Sequence, residues 1–370
     1  MKLSLILAGL TALSAPAFAD DFNPYQCEGN ATFVVEPNNA NMTTLRYFGT
    51  SVSVQIYGQA AEVSQKALCD ALNVVQEYHY QASNYSTYPG FTNIKTINNA
   101  PGQTHIIDSK LMELLEASLE WHDKTGGRFN VALSPVVDIW RGYRKRCQKG
   151  GECETPKRSE LEQAARLTNV DNIKLDAVAG TISMAPGMSL DLGGIAKGWM
   201  VEKVYDSLKN NGVQQFIINA GGNIRHYGLH PDGREFVTGI ENPVCRKNEY
   251  STPECQMPEN HYHELISGEN LTVVSSGNYL NYYTVDGQEY HHIIDPSTLA
   301  PNPDGIAVTV VMEDQQIIAD VLSTSLFLMP RNEALKLLKT LPGTQAVWYE
   351  NVDGSKWSTS DFDKFRLKLP

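Results

Sequence analysis

Between Ser189 and Leu208 the hydrophobic period of the chain changes, and the change falls on a pair of glycines. Leu190 and Leu192 alternate with Ser189 and Asp191, the two-residue period of a half-buried strand. Beyond Gly193-Gly194, Val201, Val204, Tyr205 and Leu208 recur at helical spacing until Asn210-Asn211-Gly212 stops them. The pattern predicts a strand end, a turn without Cβ atoms, and a helix whose unpaired first N–H groups open onto that turn. Such a helix end attracts anions; Lys197 adds a positive charge in the first turn, and Asp191 enters the same space from the strand. The glycines do not follow the dinucleotide-binding G-x-G-x-x-G, and no Ser or Thr follows Lys197 as in a Walker loop. Taken by itself the turn reads as a packing device, so function has to be argued from the rest of the chain.

The 370 residues, 42% of them hydrophobic, suffice for one large domain or two modest ones. A net charge of −12 without any long basic run argues against nucleic acid as a partner. Met1-Lys2, the apolar run Leu3–Leu13 and the small residues up to Ala19 predict an export signal cleaved after Ala19. That run is too short to span a bilayer and no later one is long enough, so a soluble exported protein is expected, without a transmembrane anchor. An even set of six cysteines in an exported chain favours disulfides. Cys147/Cys153 and Cys245/Cys255 each bracket a short polar loop and are expected to pair, which leaves Cys27–Cys69 by elimination; a metal site is the alternative, although no C-x-x-C occurs.

Residues 20–44 read as irregular and polar, followed by a strand over 46–57 and a helix from Ala61 to about His79. Residues 85–98 read as a loop whose aromatics, Tyr85, Tyr88 and Phe91, either anchor it to the core or face a planar ligand. A helix capped by Asp108 or Ser109 runs to Lys124 and ends at Thr125-Gly126-Gly127. Residues 128–140 are expected to be extended and bent at Pro135, with a basic, cysteine-bracketed insert over 141–156. Later come a short helix over 159–167, paired strands near 173–175 and 181–184, and a buried strand over 216–225. That strand carries Gly221-Gly222 as a second place where backbone could meet a ligand. A strand over 236–240 and a polar insert over 241–261 precede strands at 271–277, 279–285, 290–296 and 305–312. Helices over 317–328 and 332–341 lead to a final hairpin around Asp353-Gly354. Strands and helices are mixed without strict alternation, and several hairpins are antiparallel. The expected class is α+β: a mixed, largely antiparallel sheet core flanked by helices, with a single catalytic domain over 45–370.

Asp320 and Thr324 stand one turn apart on one helix face and offer two hard oxygen ligands suited to Mg²⁺. The competing reading is that Thr324 bonds back to the carbonyl of residue 320 and Asp320 is merely polar. His291 and His292 alternate faces on their strand, so one points to a cleft and the other to core or solvent; no third zinc ligand accompanies them. No G-x-S-x-G nucleophile motif is present.

Several short motifs occur in a fixed order: Arg46-Tyr-Phe-Gly-Thr50, Tyr85-Ser-Thr-Tyr88 leading to Asn98, Thr125-Gly-Gly-Arg-Phe-Asn130 with Pro135 and Trp140, and Asp191-Leu-Gly-Gly-Ile-Ala-Lys-Gly198. Asn219-Ala-Gly-Gly-Asn223, Gly239-Ile-Glu-Asn-Pro243, Ser275-Ser-Gly-Asn-Tyr279, His292-Ile-Ile-Asp-Pro296 and Ala319-Asp-Val-Leu-Ser-Thr324 follow. From Arg46 to the C-terminal hairpin the chain resembles the ApbE family of FAD:protein FMN transferases, and that resemblance implies an ApbE or T-fold-like core. It also implies a Mg²⁺-dependent transfer in which a Thr or Ser hydroxyl of an acceptor flavoprotein attacks the FMN phosphorus of FAD and AMP leaves. By similarity the Gly194 carbonyl, Asp320 and Thr324 hold the metal. Phe48, Tyr88, Arg128, Phe129, Asn130, Asp191, Lys197, Ile293 and Ile294 form the FAD pocket, and His292 assists the transfer. The family places the protein in the periplasm. Phe48 stands where the family usually has Met, Arg128 and Asn130 where Ala and Asp are common, and Ile317 where an extra ligand sometimes occurs. Two alternatives stay open: a pyrophosphatase that splits FAD into FMN and AMP, and a non-catalytic flavin-binding protein.

Overall fold

The computed structural model describes residues 27–302, 305–313, 318–351 and 354–367; the expected export signal, Ile317 and Asp353 lie outside them. Nine strands form the main sheet: β1 (Thr32–Glu36), β2 (Asn39–Thr44), β3 (Val52–Tyr57), β4 (Phe216–Ala220), β5 (Asn223–Tyr227), β6 (Asn270–Gly277), β7 (Ala307–Glu313), β8 (Thr344–Tyr349) and β9 (Lys356–Ser358). Their order in space is their order in the chain, and every neighbouring pair is antiparallel. The α+β expectation with a largely antiparallel core therefore describes the molecule. Function-bearing segments are long excursions between consecutive strands of this meander.

The excursion between β3 and β4 holds α1 (Ala61–Ala82), α2 (Ile94–Asn99), α3 (Ser109–Lys124), α4 (Ser134–Gln148), α5 (Arg158–Ala165) and α6 (Ala196–Asn210). It also holds a small sheet of strands 104–106, 173–176 and 181–184. Between β5 and β6 lie α7 (Pro243–Lys247) and a pair of strands, 236–241 and 262–268. Between β7 and β8 lie α8 (Ala319–Leu328) and α9 (Arg331–Leu338). α8 packs on β6 and β7, and α6 packs against both α1 and α8. Along β7, Val308, Val310 and Met312 enter the main core while Ala307 and Val311 enter a second cluster on the other face. Burial on both faces explains why this strand reads as one continuous apolar run.

The structure corrects several expectations. Residues 27–44 are not irregular: they supply β1 and β2, so the N-terminal segment is part of the main sheet. Arg46–Thr50 is a turn, with Phe48 at φ 55° and Gly49 at φ 64°. Residues 134–148 are helical, not extended: Pro135 sits in the first turn of α4, where its missing N–H breaks no bond. The expected strand at 216–225 is two strands, because Gly221 and Gly222, at φ 57° and 89°, make a two-residue hairpin turn between β4 and β5. A Cβ on Gly221 would fall 2.3 Å from Thr50 Oγ1, so glycine is required there by packing as well as by φ. The three expected disulfides, Cys27–Cys69, Cys147–Cys153 and Cys245–Cys255, are all present.

β5 carries two buried basic residues. Arg225, 1% exposed, pairs with Glu202 at 3.2 Å and lies over the Tyr205 ring. His226 is wholly buried, and neither ring nitrogen has a hydrogen-bond partner among the described residues. Burial, with Arg225 adding to it, pushes the imidazole down to about 4.

Two outcomes are expected. Gly221→Ala should destabilise the fold by about 2 kcal/mol in urea titrations, and by more than Gly222→Ala, whose Cβ would meet nothing within 4 Å. For His226 the unfolded chain takes up a proton first, near pH 6.5, and the folded chain only near 4. Its contribution is therefore complete above about pH 6.5 and is lost as pH falls toward 4, by about 3 kcal/mol in all. Unfolding curves of His226→Leu at several pH values should lack that part of the slope.

Candidate functional site

The segment 188–192 alternates as expected, with Met188, Leu190 and Leu192 buried and Ser189 and Asp191 half-buried. It is nevertheless not a ladder strand. Asn98, just inside the end of α2, brackets Leu190: its Nδ2 donates to the Leu190 carbonyl at 2.8 Å, and its Oδ1 accepts from the Leu190 N–H at 2.8 Å. Asp191 N–H donates to the Val131 carbonyl at 2.8 Å. One side chain and one backbone bond thus satisfy the groups a neighbouring strand would otherwise take.

Asp191 then folds its carboxylate over the turn. Oδ1 accepts from the Gly193 N–H at 2.8 Å, and Oδ2 accepts from Arg141 Nη2 at 2.8 Å. A Cβ on Gly194 would press to 3.3 Å from the ring of Phe129, which is itself 5% exposed. The absence of a side chain at Gly194 is therefore set by a neighbouring aromatic ring. α6 begins at Ala196 without a side-chain cap of its own. The cap comes from another helix: Asp320 Oδ2, on α8, accepts from the Gly198 N–H at 3.3 Å and pairs with Lys197 Nζ at 3.2 Å. Lys197 Nζ also donates to the Gly193 carbonyl at 3.3 Å. The expected helix start is present, and one of its N–H groups is met by the chain's own carboxylate.

Thr324 Oγ1 lies 3.2 Å from Ser276 Oγ on β6 rather than bonding back into its own helix; Ser323 does that instead, donating to the Asp320 carbonyl at 3.1 Å. The Thr324 and Ser276 hydroxyls meet where α8 packs on β6, one helical turn on from Asp320. Among the described residues no group of three or more His, Cys, Asp or Glu gathers as a metal cluster.

The two histidines divide as their alternation requires. His291 is buried; its Nε2 donates to the Asn302 carbonyl at 2.7 Å and its Nδ1 accepts from the Ile293 N–H at 3.2 Å, which fixes a neutral tautomer. His292 has a solvent-accessible face yet stands in dense surroundings. That crowding, then the nearby His291, Arg144 and Lys197, pushes its pKa well below the ordinary imidazole value, and water at the open face moderates the shift. Arg144 in turn stands near Arg141 and Tyr85, and Arg141 lies 5.4 Å over the exposed Tyr85 ring. Contacts and electrostatic neighbours thus link Asp320 to Lys197, Lys197 and Arg144 to His292, Arg144 to Arg141, and Arg141 to Asp191.

Several other expected pocket residues are engaged by the protein itself. Arg128 is engaged by Asp295 at 3.0 Å, Ser297 Oγ at 3.3 Å and Glu333 at 3.6 Å. Asn130 uses both ends of its amide structurally: Oδ1 accepts from Ala132 N–H at 2.8 Å and Nδ2 donates to the Thr168 carbonyl at 3.0 Å. Ile293 is buried in the main core and Ile294 in a third cluster with Trp140 and Leu299. Phe48 and Tyr88 are half-buried and pack on the main core together with Phe91. Tyr88 and Phe91 tie their loop to the core while part of each ring stays accessible, and Tyr85 is 67% exposed.

A cleft of about 530 Å³ is lined by Arg128, Asp295, Asn302, Phe327, Arg331 and Trp348 among others, and a second of about 670 Å³ surrounds Cys27 and Cys69. Neither includes Asp191, Lys197 or Asp320. The site is placed at the α6 turn because the convergent carboxylates, lysine, histidine and hydroxyls are there.

Sequence reasoning assigned no role to Arg141, Asn98 or Ser276, although the last two stand in the family-like motifs. A helical reading of 134–148 would have put Asp138 and Arg141 on one face, where they pair at 2.5 Å. No periodicity marks Asn98 or Ser276, whose partners are distant in the chain.

The ApbE family profile matches residues 48–348. A FAD:protein FMN transferase of Treponema pallidum is 30% identical over 320 residues, covering 81% of this chain and 82% of the relative. A protein of the same description from Vibrio cholerae is 25% identical over 327 residues, covering 86% and 91%. The crystal structure of the ApbE protein from Thermotoga maritima superposes with a TM-score of 0.72 at 23% identity, covering 91% of this chain and 100% of that one. The flavin transferase ApbE from Vibrio cholerae gives 0.69 at 22% identity, covering 90% and 99%. These superpositions show the same fold.

Asn98→Ala removes both partners of Leu190 and should cost about 2–4 kcal/mol, since two backbone groups lose their bonds. Asn98→Asp keeps only the acceptor and should fall between the two. Urea denaturation of the three proteins side by side measures this.

Proposed function

The chain belongs to the ApbE family, and from that premise we propose that it is a FAD:protein FMN transferase that moves the FMN half of FAD onto a Thr or Ser hydroxyl of an acceptor flavoprotein, with Mg²⁺ as cofactor and AMP as leaving group. The observation that carries the reading is the meeting of Asp320 with the first turn of α6 and Lys197. It joins an anion-attracting helix end to a carboxylate that attracts cations, the pairing a metal-bound diphosphate needs.

The residues fit Mg²⁺. Asp320 has the Lys197 ammonium at 3.2 Å, a cation already standing at this carboxylate, and Thr324 adds a hydroxyl one turn on. A small set of hard oxygens suits an ion that keeps most of its positions for water and substrate oxygens. Asp320 and Thr324, with the Gly194 carbonyl, would hold it; bound there, it supplies charge neutralisation to the diphosphate.

The chain's own groups do the remainder. Lys197 and the first turn of α6 neutralise and orient the diphosphate. Arg144, in no ion pair among the described residues, adds a positive charge on the His292 side. His292 is neutral at pH 7 and takes the proton of the acceptor hydroxyl as that oxygen bonds to the FMN phosphorus. The P–O bond to AMP breaks, and AMP leaves with its electron pair. A depressed pKa makes a weak base, and the anionic substrate, by its own field, raises it toward the working range. Three disulfides, together with the signal-like residues 1–19, support an exported, periplasmic protein. No helix among the described residues is long and apolar enough to cross a membrane.

Purified protein, FAD, Mg²⁺ and a candidate exported flavoprotein should yield a fluorescent covalent band, with one AMP per flavin attached. AMP released at the same rate without acceptor would make water the acceptor and overturn transfer. Asp320→Asn should lower the rate by about a hundredfold or more. Its thermal midpoint should move little, because the amide oxygen still accepts from Gly198.

A further inference from the structure

Phe48 and Tyr88 come from different segments, and neither sits in regular structure: Phe48 is in the turn between β2 and β3, and Tyr88 in the loop between α1 and α2. Phe48 adopts φ 55°, a conformation unfavourable for an aromatic residue unless its surroundings hold it. One imidazole joins the two. His79, near the end of α1, accepts the Phe48 N–H on Nδ1 at 3.1 Å, and its Nε2 lies 3.1 Å from the Tyr88 hydroxyl. Because Nδ1 is the acceptor, the proton sits on Nε2 and is donated to Tyr88. The ring is packed edge-on against Tyr47 at 5.3 Å and Phe48 at 5.6 Å, and it lies 5.8 Å from Tyr88. Gln76, one helical turn before His79, donates to the Tyr47 hydroxyl at 2.9 Å, so α1 holds two successive residues of the turn.

We propose that His79 is a positioning residue that sets Phe48 and Tyr88 as one aromatic wall for a planar ring of FAD. The inference rests on the FAD reading above. A helix of the main core thereby dictates where two loop aromatics stand. The left-handed turn at Phe48 is kept because the imidazole takes its N–H, and Tyr88 is kept on the same ring because the other nitrogen holds its hydroxyl. Neither bond involves ligand, so His79 acts on affinity and not on the chemical step.

The test uses the full chain and three variants. His79→Asn keeps an acceptor near the Nδ1 position, and so the Phe48 link. His79→Gln reaches the Nε2 position and keeps the Tyr88 link. His79→Phe keeps ring packing and neither bond. FAD affinity by flavin fluorescence with Mg²⁺, KM and kcat for transfer, and thermal midpoints are measured together. His79→Phe should raise Kd and KM for FAD about tenfold with kcat changed less than about twofold, and Asn and Gln should fall between it and wild type. Competition by FMN and by AMP identifies which ring stands on the wall, because only that half loses affinity. Wild-type affinity in His79→Phe overturns the proposal. So does a loss that follows the thermal midpoint equally in all three variants, which would make His79 merely structural. Failure of the wild type itself to bind FAD is a separate outcome: it removes the FAD reading, and the positioning role with it.

Discussion

A carboxylate in an otherwise buried helix has to find a partner, and the partner of Asp320 organises the site. α8 is buried around almost its whole circumference; Asp320 is 5% exposed, and Ala319, Val321 and Leu322 beside it are fully buried. Isolating a charge there would be costly, so the helix is stable only against something that offers positive charge and free donors. The first turn of α6 offers both, through Lys197 and the Gly198 N–H. The contact satisfies a helix start that has no cap of its own, and it brings together segments 122 residues apart in the chain. Packing of α6 on α8, burial of Asp320 and assembly of the site are one event.

The sheet makes this arrangement possible by being simple. Neighbours in space are neighbours in order, so the connections between strands are free to become long without crossing. Each excursion returns to the strand beside the one it left. The longest, between β3 and β4, carries Asp191, Lys197 and the arginines of α4; the one between β6 and β7 carries His291 and His292; the one between β7 and β8 carries Asp320 and Thr324. The hairpin at Gly221-Gly222 packs its turn against Thr50, which ties the start of the meander to its centre.

What could be read before folding was what depends on local period and residue type. The change from alternation to helical spacing at Gly193, the shared face of Asp320 and Thr324, the split of His291 from His292 and the cysteine pairs are of that kind. What could not be read depends on partners far away in the chain. Leu190 alternates like a strand residue, yet its backbone is satisfied by the side chain of Asn98. Pro135 reads as a bend in an extended run, but the run is a helix and the proline begins it. The Gly-Gly pair at 221 reads as a strand end open to ligand and is a hairpin turn, because positive φ at both residues reverses the chain. β2 is polar in composition and hides its period although it pairs on both sides, whereas the edge strand β1, with Phe33, Val34 and Val35, was legible from residue type.

The departures at Arg128 and Asn130 can be weighed in the same terms. An extra arginine near a diphosphate site would strengthen anion binding if its charge faced the site, but Asp295 and Glu333 neutralise it, and Ser297 completes its hydrogen bonds. Asn130 would weaken a cation site if it had replaced a ligand, but its amide caps the turn at Val131 and ties to Thr168. Both changes are absorbed by structure around the site. The positive charge left over beside His292 is that of Arg144, crowded by Arg141 and without a carboxylate to answer it among the described residues. Burial and that repulsion both lower its pKa, so an approaching anion relieves a guanidinium that the fold leaves uncompensated. The positive charge of this region thus comes from Lys197 and α4, an element whose helical nature the sequence concealed behind a proline.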